Sequence, residues 1–157
     1  MIVTLEVLLT RVAAHRARGQ TVALANGVFD LLHVGHLRYL GGAAAEADVL
    51  VVAVNADAVV TRLKGPSRPI VPGIERAELV DAIRGVDYVL LFDEPTVTPL
   101  LEVLRPEVHC KGTDYTVATV PERATVQAYG GRTAIVGDPK DHSTREIVAR
   151  LSPTLEP

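Results

Sequence analysis

The sequence predicts a doubly wound α/β protein, a single domain built on a parallel sheet. Three observations carry this. Short apolar runs rich in Val, Leu and Ile alternate with longer amphipathic stretches, the rhythm of strand–helix units. Two of those runs, VLVVAV at 49–54 and YVLLF at 88–92, are apolar almost throughout, as strands covered on both faces must be. The chain has 157 residues, 48% hydrophobic and 22% charged, a folded composition long enough to bury a real core.

The elements follow in order. A helix is expected first, at 5–18, then a strand, TVALA, at 21–25. A helical pattern covers 35–46, and the apolar run 49–54 supplies the second strand. Helices at 57–63 and 74–84 are separated by KGPSRPIVPG, 64–73, whose three prolines and two glycines make it a loop. The third strand, 88–92, precedes a helix at 98–104. EVHC at 107–110 reads as the fourth strand and TAIV at 133–136 as the fifth, with a helix at 121–129 between them. A last helix is expected at 143–151, with a frayed tail at 152–157. No internal repeat or low-complexity tract interrupts the series, so residues 1–157 read as one domain.

Composition excludes several classes. The net charge of −3 and a pI near 5.9 suggest neither a nucleic-acid nor a membrane surface. The single cysteine, Cys110, cannot form an internal disulfide or a cysteine-based zinc cluster, and its apolar surroundings suggest an inert buried thiol. No signal peptide is visible, and no apolar run is long enough to span a bilayer. The expectation is a cytoplasmic protein.

Ligands of open α/β sheets bind beyond the carboxyl ends of the strands, where strand order reverses. The first strand is followed by NGVFDLLHVGH, which sets His33 and His36 three residues apart near a helix start, with Gly35 between them. Backbone N–H groups and the helix dipole favour anions there, neutral imidazoles add donors, and a bare glycine admits close approach. Together these make a phosphate cradle; the competing explanation is two core histidines satisfied by local carbonyls. A zinc site is the other alternative, but His15, His109 and His142 lie at no ligand spacing. Lys64 and Arg68 could close a loop over phosphates, or simply be solvated. Arg76 is an even choice between a ligand and a surface ion pair. Asp114 and Tyr115, in KGTDY after the fourth strand, could position a nucleotide, or form a turn beside Gly112. Ser143 and Thr144 open the last helix, as a cap, a phosphate site or both. The Walker A, dinucleotide and nucleophile-elbow motifs are all missing.

These pieces resemble the H-x-G-H signature of the cytidylyltransferase-like nucleotidyltransferases, and most closely the adenylyltransferase domain of bacterial heptose-phosphate enzymes that make ADP-heptose. The resemblance runs from about Leu5 to Leu151 through NGVFD, HVGH, AVNAD, RLKG, SRP, KGTDY and HSTREI, in family order. Departures are Ala25 and Val28 where the family has Thr and Cys, Val71-Pro72-Gly73 for Asn-Pro-Leu, and Arg145 for a second Thr. The kinase domain that some relatives carry is not expected here.

The resemblance implies a Rossmann-like H-x-G-H nucleotidyltransferase fold and transfer of a nucleoside monophosphate, AMP from ATP, to a sugar phosphate such as heptose 1-phosphate. Pyrophosphate leaves, and Mg²⁺ accompanies the triphosphate without a metal site on the protein. His33, His36 and Lys64 are the implied catalytic residues. Asn26, Gly27, Phe29, Gly35, Arg76, Lys111, Gly112, Asp114, Ser143 and Thr144 are the implied nucleotide ligands. Asp30, Arg68 and Tyr115 would meet the acceptor. A homodimer is also implied. The alternatives are a cytidylyltransferase acting on an alditol or alcohol phosphate, and a nucleotide sensor without chemistry.

Overall fold

A computed structural model describes residues 1–139 and 144–151. Five parallel strands form one sheet: β1 (Val22–Gly27), β2 (Val49–Asn55), β3 (Tyr88–Phe92), β4 (Val108–Lys111) and β5 (Arg132–Ile135). Their order is β3-β2-β1-β4-β5. The chain winds outward from β1 to β3, then returns to the other side of β1 for β4 and β5. The switch point therefore lies between β1 and β4.

Period-two alternation splits the strands between two cores. Val22 and Leu24 of β1 face one core, into which α1 (Leu5–Arg16), α5 (Thr98–Leu104) and α6 (Arg123–Ala128) deliver Leu8, Val12, Leu101, Leu104 and Val126. Ala23 and Ala25 face the other, filled by Leu40 and Ala43 of α2 (Val34–Ala44) and by Ala77 and Val80 of α4 (Gly73–Asp81). All seven residues of β2 are buried, which is why that run carries no polar side chain before Asn55. Two further helices are α3 (Asp57–Lys64) and α7 (Thr144–Leu151), and a short 3-10 turn spans Val117–Thr119.

The sequence boundaries need correction at the site. β1 runs two residues beyond the expected end, because Asn26 and Gly27 pair with Ala53 and Val54 of β2. The helix after it starts at Val34, with His33 as its extended N-cap residue. Lys64 belongs to the last turn of α3 and not to the loop. α4 ends at Asp81, three residues short of the expected Arg84. Ser143 and the tail at 152–157 lie outside the described residues.

The exit of β5 is drawn toward α2. A Cβ on Gly42 would lie 3.0 Å from the Val136 Cβ and 3.1 Å from the Gly137 nitrogen, so only glycine permits this approach. Arg38 of α2 pairs with Asp138 at 2.8 Å, and the Thr113 hydroxyl donates to the Asp138 carbonyl. Residues 136–138 are thus fastened beside α2 and the loop that leaves β4.

Candidate active site

β1 and β4 stay in register only to the pair Ala25–Cys110. Beyond it, one side chain spans the two strands. The Tyr39 hydroxyl accepts the Asn26 N–H (3.3 Å) and donates to the Cys110 carbonyl (2.8 Å). Burial keeps this phenol protonated, its pKa pushed far above the ordinary range, with Cys110 next to it adding to the effect. Phe29 stacks on Tyr39 and meets His36 edge-on at 5.4 Å, so one aromatic wedge seats the helix start. Phe29 and Leu31 both adopt φ of 52°, a left-handed conformation that costs a non-glycine residue energy. That loop brings the strand abruptly into α2.

The two histidines are brought together. Their rings stack with centroids 4.0 Å apart. The His33 N–H donates to Nδ1 of His36 at 3.4 Å, which leaves the His36 proton on Nε2. Burial first, then His33 and the Lys64 ammonium, pull the His36 pKa down to about 4. Lys64 at the end of α3 is therefore within electrostatic reach of the α2 N-terminus. At neutral pH His36 is an uncharged donor held at a helix terminus, where a cation would be opposed by the dipole.

Two expected ligands do other work. Arg76 is fully buried. Its guanidinium donates to the carbonyls of Val71, Val28 and Asn55 and to the Asp57 carboxylate. It knits the β1 exit, the β2 exit and the loop before α4, so it is not placed to hold a nucleotide directly. Asp30 is also buried, and its oxygens accept from Arg68 at 2.7 Å and from the Ile70 and Val71 N–H groups. Burial alone would raise its pKa, but the Val71 and Ile70 N–H groups and Arg68 together lower it. The carboxylate expected to meet an acceptor instead clasps the loop at 68–71, and Arg68 with it.

The remaining residues gather at the end of β4. Lys111 is buried, 3.6 Å from Glu122 and 3.5 Å from Oδ1 of Asn26, with its ammonium 5.2 Å from the centroid of the Tyr115 ring. Burial lowers its pKa, while Glu122 opposes the shift. Gly112, Asp114 and Tyr115 follow directly, the last two exposed. Gly27 sits against the Phe29 ring, which a Cβ would approach to 3.2 Å. Gly35 lies in the first turn of α2, and Thr144 is the first residue of α7. Tyr39, His109 and Glu122 were missed by the sequence reading. Tyr39 had a signal, lying three residues after His36 on the same helical face. His109 and Glu122 had none, because only the tertiary fold brings His109 to Asn26 and Glu122 to Lys111.

Two outcomes follow. Arg76→Met should cost on the order of 3 kcal/mol in urea unfolding, since it orphans buried carbonyls. Asp57→Asn should cost under about 1 kcal/mol, because the Asp57 side chain is 51% exposed. The second outcome concerns acid. His36 and His109 fold with pKa values near 4 and 3, against an ordinary 6.5. The unfolded chain binds protons first, so stability present at neutral pH is lost as pH falls below about 6.5 toward those values. The urea midpoint should drop between pH 7 and pH 5, and His109→Leu should flatten that drop.

Comparison with known proteins places this geometry. The chain is 46% identical over 136 residues to the bifunctional protein HldE of Syntrophotalea carbinolica, covering 87% of this chain and 28% of that protein. It is 45% identical over 147 residues to the protein of the same name from Geobacter sulfurreducens, covering 94% and 30%. The chain thus spans under a third of the length of these relatives. Among solved structures, the lipopolysaccharide core biosynthesis protein of Thermoplasma volcanium matches with a TM-score of 0.66 at 26% identity, over 77% of this chain and 99% of that one. A pantoate-beta-alanine ligase from Francisella tularensis shares the fold at a TM-score of 0.63 and 14% identity, over 92% and 68%. The cytidylyltransferase-like family model matches residues 24–151, from β1 through α7. By that match and by its relatives, the chain belongs to the cytidylyltransferase-like family of nucleotidyltransferases.

Proposed function

We propose that the chain is one nucleotidyltransferase domain that transfers AMP from ATP to a sugar phosphate, heptose 1-phosphate first among them. The observation that carries this is the stacked His33–His36 pair, with His36 held neutral, at the α2 N-terminus, beside Lys64 and at the switch point of the sheet. In this reading an oxygen of the acceptor phosphate attacks the α-phosphorus. The bond from that phosphorus to the bridging oxygen of the β-phosphate breaks, and pyrophosphate leaves with the electron pair. No covalent enzyme intermediate forms, so catalysis consists of positioning and charge stabilisation. His36 donates to phosphate oxygens as their charge grows, His33 and the α2 amides flank it, and Lys64 neutralises the triphosphate. Gly35 keeps the helix terminus bare, while Asn26, Gly27 and Phe29 shape its approach. Gly112, Asp114 and Lys111 form the nucleotide side, with Ser143 and Thr144 at the β,γ end and Tyr115 toward the acceptor. Asp30, Arg68 and Arg76 contribute by fixing the loop at 68–71.

Mg²⁺ would enter on the triphosphate and neutralise its oxygens. Among the described residues no group of three or more His, Cys, Asp or Glu side chains could hold an ion by itself. No helix among the described residues is long and apolar enough to cross a membrane. In this reading the enzyme works on charged small molecules in the cytoplasm. The working unit in this reading is a homodimer, and a monomeric mass by light scattering at micromolar concentration would refute that part.

The deciding assay sets ATP, CTP, GTP and UTP against heptose 1-phosphate and simple alditol phosphates, with Mg²⁺, and measures pyrophosphate. ATP with heptose 1-phosphate should be the productive pair. Turnover only of CTP with an alditol phosphate would replace the assignment, and nucleotide binding without pyrophosphate would make the protein a sensor. His36→Ala should lower kcat by roughly a hundred-fold with little change in ATP affinity. His36→Asn, which keeps a donor, should recover part of the loss. A fully active but less stable His36→Ala protein would refute the role given to this imidazole.

A further inference from the structure

His109 lies in the middle of β4, opposite Leu24 in the register with β1 and fully buried. Its Nε2 is 3.1 Å from the Asn26 Oδ1, and the Lys111 ammonium is 3.5 Å from the same oxygen. An ammonium only donates, so the Asn26 oxygen is the acceptor, and His109 must donate from Nε2. Its Nδ1 is then an acceptor, and among the described residues no hydrogen-bond partner reaches it. A leucine at 109 would leave no such orphan, and its strand neighbours Val108 and Cys110 are apolar. The fold carries a buried, half-satisfied imidazole whose one hydrogen bond goes to Asn26.

Asn26 is the residue where β1 leaves the sheet at the switch point. Its backbone N–H is held by Tyr39 and its side-chain oxygen by His109 and Lys111. With the oxygen committed toward β4, the amide cannot flip, and Nδ2 is the group it has left to offer. That nitrogen has no protein partner among the described residues, and the side chain is only half-buried at the carboxyl edge of the sheet.

We propose that His109 is a positioning residue, which fixes the carboxamide of Asn26 so that its Nδ2 donates to the nucleotide bound at the switch point. The inference rests on the nucleotidyltransferase reading and adds to it a side chain that touches no substrate. Burial keeps the imidazole neutral through the physiological range, so the orientation does not change with pH there.

The test is a double-mutant cycle between His109→Leu and Asn26→Ala, with His109→Gln as the conservative variant. Each protein is read by thermal melting, ATP binding by calorimetry, and pyrophosphate release. His109→Leu should melt no lower than the parent at pH 7, yet weaken ATP binding or kcat/KM about ten-fold. His109→Gln, whose side-chain amide can donate from a similar place, should recover most of that loss. In the Asn26→Ala background the leucine should add no further loss, because its effect runs through Asn26. An active, ATP-binding His109→Leu protein, or losses that add in full, would overturn the inference. If the parent binds ATP and releases no pyrophosphate, the reaction assigned above is wrong, and the same cycle in binding still decides the role of His109. A parent that does not bind ATP at all would refute both.

Discussion

The structure depends on how two parallel strands part. β1 and β4 are hydrogen-bonded neighbours until Ala25 and Cys110, and after that each heads for a different side of the sheet. A parting of this kind leaves backbone groups that the ladder no longer serves, in a place too buried for water to serve them freely. The Tyr39 hydroxyl supplies both missing partners at once. Because Tyr39 sits on α2, the same contact sets how that helix meets the sheet, and so where its N-terminus stands. Phe29 and His36 stack onto the arrangement and inherit their positions from it.

A second layer of support lies under the loop at 64–73. Its charged anchors face inward. Arg76 binds three carbonyls from three segments, and Asp30 receives Arg68 and two backbone N–H groups. Each is a buried ion whose desolvation cost is offset by nearly saturating hydrogen bonds. Apart from these anchors, the His pair stands at the start of α2 and Lys64 at the end of α3.

The sheet was legible because its strands are short apolar runs that nothing else explains, and VLVVAV is buried along its whole length as read. The juxtaposition of the two histidines was legible because His33 and His36 are local to one helix turn. The internal partners of Arg76 and Asp30 were not legible, for a common reason. A charged residue in a polar, glycine-bearing stretch looks the same whether it faces solvent or a cluster of carbonyls, and only the tertiary path of 64–73 decides. His109 was passed over because its partner is 83 positions away in sequence, and the strand order that joins them has no local signature. The end of β1 was misplaced because Asn and Gly are poor strand formers, yet pairing with β2 carries them.

The Asp30 clasp also divides the 64–73 connection into parts of different tolerance. The Arg68 guanidinium and the Ile70 and Val71 N–H groups donate to a buried carboxylate, and Arg76 donates to the Val71 carbonyl. Between that anchor and Lys64 lie only Gly65, Pro66 and Ser67, the latter two exposed. Those three residues form a short cassette bounded by two fixed points. Within it Gly65 takes a φ of 97° and its carbonyl accepts the Arg68 N–H, so Pro66 and Ser67 are the positions where sequence can change without unfastening the Asp30 clasp or the end of α3.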